Sequence, residues 1–369
     1  MDHLALHEFH RAHGGRYTEV NGAEAVLDYG DVPAEHAVLG RSAGLLDLSF
    51  RSRLCLTGAD RARFLHGQVT NDIKGLALGA GRYAALVTAK GRMESDLYIY
   101  SLADELLLDF EPGLRDAVAR RLEKYVVADD VQVVDVAPLY GLLSVQGPAA
   151  GAAVAALGLF PDLPSTVLHS RKLEDATLGE LYLVNQPRLG TSGFDLFVPA
   201  AALAAAAGRL LVAVSSVSGR LCGWPAFETA RIEAGIPRFG PDMDETNFPQ
   251  ECGIEQRAVS YSKGCYIGQE VLNRIHTMGH VNRELRGLRL AERLAALPEK
   301  GDKLFQRDKE VGVITSAVAS IALRANIAMG YVRSEANRPG TELTLRSGGS
   351  ETIARVVELP FLPPGQTTK

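Results

Sequence analysis

Short runs of apolar residues between charged or glycine positions mark the first third of the chain. The run "RSRLCLTG" (51–58) alternates with the period of two that is typical of a β-strand, and "GRYAALVT" (81–88), "GRMESDLYIY" (91–100) and "DELLLDFE" (104–111) are strand-like runs. The breaks between the last three are short and contain glycine or charged residues. Such breaks are too short for a parallel crossover, so the pattern predicts antiparallel strand pairs.

Helical spacing appears between these strand-like runs. "ADRARFLHGQV" (59–69), "PGLRDAVARRLEKYV" (112–126) and "WPAFETARIEAGIPRFG" (224–240) each carry apolar residues three and four positions apart, and the last of them ends in a glycine and a proline. Strands and helices therefore mix without the strict βαβ repeat of a doubly wound sheet. The predicted fold class is α+β.

The pattern changes near residue 282. From there to the C-terminus, short strand-like runs follow one another at regular spacing with hardly any helical period. That texture is typical of a small β-barrel or sandwich. We predict a boundary there, giving a region 1–281 and a C-terminal barrel domain 282–369, whose last ten residues should wrap around the fold or fray.

Composition narrows the functional classes. The 369 residues are 46% hydrophobic and 22% charged with a net charge of −5, which is an ordinary globular balance and argues against nucleic acid as the main ligand. No apolar run reaches the roughly 18 residues that span a membrane. Four cysteines without a CxxC pair argue against a disulfide scaffold or a zinc–thiolate site, and favour a reducing cytoplasm.

Three histidines, His3, His7 and His10, lie on neighbouring turns of a predicted N-terminal helix. Such histidines could ligate a metal. No cysteine or carboxylate cluster accompanies them in the sequence, so an exposed amphipathic helix is the favoured interpretation. We predict no metal site.

Two acidic positions carry candidate chemistry. Glu94, Asp96 and Tyr98 share one face of a predicted strand, and two carboxylates buried together there would have raised pKa values, as a general acid or base requires. A wet edge face explains the same spacing and is favoured by spacing alone. Glu233 ends a helix, where a carboxylate is poorly matched to the helix dipole and needs water or a partner with two donors.

The stretch "YSKGCYIGQE" (261–270) places a thiol between glycines. Gly264 could turn the chain into a helix N-terminus, and Cys265 near such an end and beside Lys263 would be a reactive thiol. A buried, inert cysteine is an equally good interpretation. Gln269 could cap the helix or contact a ligand, and Arg274 could meet an anionic ligand tail or pair along the helix.

These residues resemble a known family. "KGCYIGQE" (263–270) resembles the signature of YgfZ-type folate-binding proteins, which are relatives of the glycine-cleavage T-protein, an aminomethyltransferase. The segments 44–73, 83–97 and 228–245 resemble blocks of the same families. The resemblance implies two GcvT-like α+β domains with ferredoxin-like layers, interleaved within 1–281 and one of them centred on about 50–135. With the barrel they would form a three-domain ring.

The resemblance also implies tetrahydrofolate in the central hole. Asp96 would face the reacting folate nitrogens, Tyr83 would line the pocket, Glu233 would bind the pterin, and Cys265 would be the family's characteristic thiol. With Asp96 and Cys265 as the catalytic candidates, the predicted cofactor-binding residues are Tyr83, Asp96, Glu233, Lys263, Gln269 and Arg274.

Three functions remain open from the sequence. The first is a cytoplasmic, monomeric YgfZ-type protein that binds tetrahydrofolate and supports iron–sulfur cluster assembly or repair with client or assembly proteins as partners. The alternative is a folate-dependent aminomethyltransferase like the T-protein, favoured by the presence of both Asp96 and Glu233. The third is a folate-binding module without thiol chemistry.

Overall fold

The structure is a computed structural model that describes residues 3–362. Within that range the helices are α1 (His7–Ala12), α2 (Val32–Arg41), α3 (Arg61–Gln68), α4 (Arg115–Glu123), α5 (Ala150–Ala156), α6 (Leu203–Ser216), α7 (Trp224–Glu233), α8 (Glu255–Ala258) and α9 (Gln269–Met278). The strands are β1 (Arg16–Val20), β2 (Ala23–Asp28), β3 (Gly44–Asp47), β4 (Ser52–Thr57), β5 (Gly81–Val87), β6 (Met93–Ser101), β7 (Leu106–Phe110), β8 (Gln132–Asp135), β9 (Tyr140–Gln146), β10 (Ser170–Asp175), β11 (Gly179–Asn185), β12 (Gly193–Pro199), β13 (Arg220–Leu221), β14 (Arg283–Leu290), β15 (Lys303–Gln306), β16 (Lys309–Ser320), β17 (Ala325–Arg333), β18 (Glu342–Ser347) and β19 (Ser350–Val357).

The first α+β unit contains a five-stranded antiparallel sheet. Its order is β5-β6-β7-β4-β8. One face buries Leu54, Leu97, Leu108 and their neighbours against α3 and α4, because these apolar positions alternate along the strands. The other face packs against the segment around α7 and α8 and against the barrel. Both faces are therefore covered in the middle of the sheet, and a polar side chain there is removed from water.

A six-stranded sheet forms the second α+β unit. Its order is β10-β11-β12-β9-β3-β13, antiparallel except for the short parallel pair of β13 with β3. The alanine-rich helices α5 and α6 cover one face, with a core that includes Leu143, Phe194 and Leu210. Small alanines let these helices approach the sheet closely. An N-terminal β1–β2 hairpin and α2 precede this unit along the chain.

The C-terminal strands close into a barrel in the order β14-β17-β16-β15-β18-β19. Closure pairs every strand on both sides and leaves no free edge. Helix α7 lies against β16 and β17 of the barrel and also against α2 and β2. It therefore joins the barrel to the N-terminal region.

The predicted α+β class with a C-terminal barrel is confirmed. Two local predictions are wrong, and one segment had no prediction. Helix α1 begins at His7, so His3 precedes it. Strand β6 is an internal strand with covered faces, not a wet edge. The segment 170–185, for which the pattern predicts no element, forms β10 and β11; β10 carries a single apolar side chain, Leu173, among charged neighbours and so gives no strand signal.

All four cysteines are free, as the absence of a CxxC pair indicated. None of the helices in the described range is long and apolar enough to cross a membrane. The predicted wrapping or fraying of residues 360–369 concerns mainly residues 363–369, which lie outside the described range, so it stays a prediction.

Candidate active site

Asp96 lies in the middle of β6, directly opposite Ala85 of β5. Its side chain is buried, as is that of Ala85 beside it. The hydroxyl of Tyr83 donates a hydrogen bond to Asp96 Oδ2 at 2.8 Å. The other oxygen, Oδ1, is buried and finds no hydrogen-bond partner among residues 3–362. A buried acceptor without a partner is costly, which marks this atom as a position for a ligand's donor.

The surroundings raise the pKa of Asp96 to about 6 from 3.8. The largest cause is burial, which disfavours the charged form, and the nearby carboxylate of Glu111 acts in the same direction. The hydrogen bond from Tyr83 and the charge of Arg51 oppose the shift without cancelling it. A carboxyl group with a pKa close to neutrality can exchange a proton with a reacting group.

Two tyrosines form an aromatic wall next to Asp96. Tyr83 and Tyr98 are register partners on β5 and β6, and their ring centroids are 4.9 Å apart. The guanidinium of Arg257 lies 5.2 Å from the Tyr83 ring centroid, and that of Arg188 lies 5.5 Å from the Tyr98 centroid. Burial raises the pKa of both phenols, which therefore stay protonated as donors. Two aromatic faces, tilted by 36° to each other and beside an acceptor without a partner among residues 3–362, suit a planar, nitrogen-rich ring.

Buried ion pairs surround this wall. Arg188 donates to Asp195 and, at 2.6 Å, to Asp109, and so joins the six-stranded sheet to the five-stranded one. Arg51 donates to Asp109 and Glu111 at 2.7 and 2.8 Å. Such pairs must be complete, because a lone charge in this interior would be strongly destabilising.

Arg238 completes the network from the segment after α7. It donates to Glu111 Oε2 at 2.8 Å. Burial opposes ionisation of Glu111, but Arg238 and Arg51 outweigh it and hold the pKa of that carboxyl at about 2. None of these charged residues was singled out from the sequence, although Asp109 and Asp195 could have been found as charges inside otherwise apolar strand runs, where a partner is obligatory.

Glu233 ends α7 and is buried. A carboxylate at this helix end requires hydrogen-bond donors, and the protein itself provides them. His36 Nε2 of α2 lies 2.7 Å from Oε2, while the hydroxyl of Ser320 and the amide of Ala322 donate to Oε1. Glu233 thus connects α2, α7 and the barrel. The sequence contained no signal for His36 or Ser320 as its partners, because they are 197 and 87 positions away.

Lys263 is a structural lysine in this arrangement. Its buried Nζ donates to the backbone carbonyl oxygens of His66, Val69 and Asn71, the last two at 2.7 and 2.9 Å. An ammonium group has three donors, so all of them are used at the end of α3. Burial lowers the pKa of Lys263 to about 8. Its predicted contact with a cofactor would have to replace one of these bonds.

Cys265 is exposed, whereas the other three cysteines are buried. Helix α9 begins only at Gln269, after Gly268 in the left-handed region with φ of 85°. Cys265 therefore lies in the preceding loop, and the predicted turn at Gly264 into a helix N-terminus is wrong. Gln269 is half-buried and Arg274 is exposed on α9.

The structure brings a histidine to this loop, which the sequence did not indicate. A Cβ atom at Gly264 would lie 3.8 Å from His66 Nε2. Burial and the neighbouring Lys263 lower the pKa of His66. A thiol, a histidine and a lysine thus share one corner of the molecule.

Fold and site together define a class: a two-part α+β body with a C-terminal barrel and a buried carboxyl, one oxygen of which has no partner in the described part of the chain. Comparison with known families gives the same result. The GCVT N-terminal domain model matches residues 6–263, and the glycine cleavage T-protein C-terminal barrel domain model matches residues 283–362. The chain belongs to the glycine cleavage T-protein family.

Individual relatives agree over nearly the whole chain. It is 30% identical to the aminomethyltransferase of Cutibacterium acnes, with 95% of this chain and 96% of that protein covered. It is 28% identical to the aminomethyltransferase of Shouchella clausii, with 96% of each covered. The crystal structure of aminomethyltransferase T from Bartonella henselae matches with a TM-score of 0.89 at 25% identity, covering 100% of this chain and 99% of that one.

Proposed function

We propose that this protein is a tetrahydrofolate-dependent aminomethyltransferase of the T-protein kind. One observation carries the proposal: Asp96 is buried beside Tyr83 with a raised pKa, and one of its oxygens has no hydrogen-bond partner within residues 3–362. Its relatives' name, aminomethyltransferase, identifies a reaction for which such a carboxyl is suited. Between the two main functions left open by the sequence, these findings favour the transferase.

The residues around Asp96 fit a reduced folate. The Tyr83 and Tyr98 rings, tilted by 36° to each other, offer apolar faces, and Asp96 Oδ1 can accept a hydrogen bond from a ring N–H. Folate supplies the nitrogen atoms that accept a one-carbon unit. Glu233 keeps its predicted role at the pterin as part of the proposal, although its hydrogen bonds to His36 and Ser320 indicate that it also positions α7.

Asp96 would act in its ionised form. Above a pH of about 6 the carboxylate can accept a proton from a nitrogen and can stabilise a positive charge that develops beside it. The covered site makes this interaction stronger than it would be in water. Tyr83 keeps the carboxylate oriented through its hydrogen bond.

The test uses purified protein, tetrahydrofolate and a lipoyl carrier loaded with an aminomethyl group. Release of ammonia and formation of methylenetetrahydrofolate are expected, with the carrier left as a dithiol. Asp96→Asn should lower kcat by about 100-fold or more, the usual contribution of a positioned acid or base. Asp104→Asn, in an exposed bend, is the matched control and should keep full activity. Wild-type protein that binds folate without releasing ammonia would overturn the proposal.

A second candidate rests on a different observation. Cys265 is exposed in the "KGCYIGQE" loop, unlike the other cysteines, which fits a thiol that meets another molecule. This favours the YgfZ-type function, in which tetrahydrofolate binding supports iron–sulfur cluster assembly or repair in the cytoplasm through client or assembly proteins. A single thiol cannot hold a cluster, so the other ligands would come from a partner.

Cys265→Ser separates the two candidates. A transferase that depends on Asp96 should keep its ammonia release in this variant, whereas a cluster-supporting protein should lose its effect on iron–sulfur enzymes in a strain that lacks the gene. If the Ser variant restores those enzyme activities fully, the second candidate fails. Tetrahydrofolate binding should be unchanged in either case.

A further inference from the structure

Two histidines and a glutamate meet near the N-terminus, away from Asp96. His3 Nδ1 lies 2.9 Å from Glu24 Oε1, and His7 Nδ1 lies 2.8 Å from Glu24 Oε2. One potential ligand atom from each residue lies within 4.8 Å of the others. His3 and His7 come from the N-terminal segment, whereas Glu24 comes from β2. The sequence offered the histidines without a carboxylate, and folding supplies it.

The group is held in place by its surroundings. Glu24 is buried, and the backbone N–H of Leu4 donates to its Oε2 at 2.9 Å. The His7 ring stacks on Tyr17 with 4.3 Å between centroids and 9° between planes. Two of the three side chains are therefore oriented before any ligand arrives, which is what contacts behind metal ligands achieve.

We propose that His3, His7 and Glu24 form a binding site for a divalent transition metal ion, with Zn²⁺ as the ion that their chemistry fits best. Two imidazoles and one carboxylate are a ligand set that Zn²⁺ accepts, with a further position left for water. The ion would take the place of the hydrogen bonds that now join each imidazole to the carboxylate.

Not every histidine near this group can act as a metal ligand. His10, on the same helix as His7, is buried and bonded through its two ring nitrogens to Asp47 and Tyr29, so it is unavailable. His3 is 70% exposed, which leaves one side of the group open. That side borders a cavity of about 490 Å³, whose lining includes His3 and Glu24 together with Phe50 and Arg51. An ion and its water can therefore reach the group.

A bound metal ion would link residues 3–7 to the β1–β2 hairpin. Residues 3–7 and β2 are otherwise joined here by hydrogen bonds to the single Glu24 side chain. A ligand that binds only the folded arrangement stabilises it by mass action. The proposal is independent of the transferase function, because the group has no contact with Asp96.

The experiment titrates metal-free protein with Zn²⁺ against a chromophoric chelator, and with Co²⁺ followed by visible absorption. One ion per chain is expected, with the strong Co²⁺ absorption of a four-coordinate site. Glu24→Gln, which keeps an acceptor for the Leu4 N–H, and His7→Phe, which keeps the stack on Tyr17, should each weaken Zn²⁺ binding by about 100-fold.

His13→Gln is the matched control, since His13 is exposed at the end of α1 and outside the group. It should bind Zn²⁺ like the wild type. His3→Gln replaces the most exposed of the three ligands, and its amide can still donate to Glu24 Oε1; it should lose the Zn²⁺-induced rise in Tm. The proposal would be overturned if the wild type does not bind one Zn²⁺ ion per chain, or if His13→Gln loses as much Zn²⁺ affinity as the ligand variants.

Discussion

At the scale of single residues, Asp96 combines two properties that usually exclude each other. It is buried, which makes its charge costly, and one oxygen lacks a partner in the described range, which makes the cost larger. Natural proteins keep such groups mainly at functional sites, where the strain serves a reaction. The hydrogen bond from Tyr83 limits the cost without removing it.

The pH profile of the transferase reaction should report Asp96. Because its pKa is raised to about 6 and the ionised form is the active one, kcat/KM should increase with pH and level off above that value. Rates measured from pH 5 to 8 over a range of carrier concentrations check this. Asp96→Asn should lose the inflection as well as the rate. A profile that falls above pH 6 would show that the protonated form is needed.

The same residue should lower the stability of the protein. A folded-state pKa of about 6 against 3.8 means that folding favours the protonated carboxyl, so ionised Asp96 costs free energy above pH 6 and costs nothing well below pH 4. Asp96→Asn should therefore raise the free energy of unfolding at pH 8 by about 3 kcal/mol. Its amide oxygen can still accept the bond from Tyr83.

Urea unfolding at pH 8 and at pH 5 measures this gain, which should shrink at the lower pH. Asp104→Asn, at an exposed position, should change neither value. A gain in the Asp96→Asn variant that is equal at both pH values would speak against a titrating carboxyl as its cause.

At the scale of elements, the "KGCYIGQE" loop is fixed to α3 by a lysine. Lys263 satisfies carbonyl groups of His66, Val69 and Asn71, at and just after the end of that helix. Helix ends leave carbonyls without partners, and a cation is the favourable group there. The motif's lysine thus holds the loop, and the loop in turn presents Cys265 to solvent.

Lys263→Met should destabilise this corner of the molecule. It retains the apolar stem but leaves three backbone carbonyls without their donor, so the free energy of unfolding should fall by about 3 kcal/mol. Chemical denaturation checks the value, and hydrogen exchange should show faster opening of α3. Lys74→Met, at an exposed position nearby, should have little effect. Unchanged stability in Lys263→Met with lost folate binding would instead favour a direct ligand contact.

At the scale of the whole molecule, α7 connects the parts. Arg231 on this helix pairs with Asp242, which accepts bonds from Thr315 and Ser316 of the barrel. Glu233 at its end reaches both His36 and Ser320. Because these contacts are buried and charged, they hold the barrel to the N-terminal region in one orientation.

Glu233→Ala should loosen the barrel. The substitution removes the acceptor for His36, Ser320 and Ala322 at once, and the free energy of unfolding should fall by about 3 kcal/mol. Hydrogen exchange of β16 should rise, and tetrahydrofolate binding should weaken. Glu342→Ala, which removes a surface glutamate paired with Arg355 on the barrel, is the control and should change neither.

Glu233→Gln distinguishes positioning from direct contact. The amide retains a hydrogen-bond acceptor, so the barrel should stay in place. If folate binding is nevertheless lost, the charge itself contacts the ligand. If barrel and binding are both preserved, Glu233 acts by positioning alone.

The sequence by itself determined the elements whose pattern is local. The strand-like runs of β5, β6 and β7 follow from apolar side chains buried on the covered faces of one sheet. The amphipathic α4 and the barrel strands also have local patterns, and the α+β class follows from the order of the elements. It also singled out Asp96, through its spacing from Glu94 on one face of a strand, and Glu233, through its poor match with the helix dipole. Pattern alone favoured a wet face for Asp96, since spacing carries no information on what covers a sheet.

Only the tertiary structure decided which groups meet. Folding brings together groups that are separated in the sequence: Tyr83 with Asp96, Glu233 with His36, Lys263 with the end of α3, and Glu24 with two histidines. Their energies depend on distance and on exclusion of water, neither of which is written in the local order of residues. Burial gave the carboxyl of Asp96 a pKa of about 6. At a different place, burial beside three backbone carbonyls made Lys263 a structural residue.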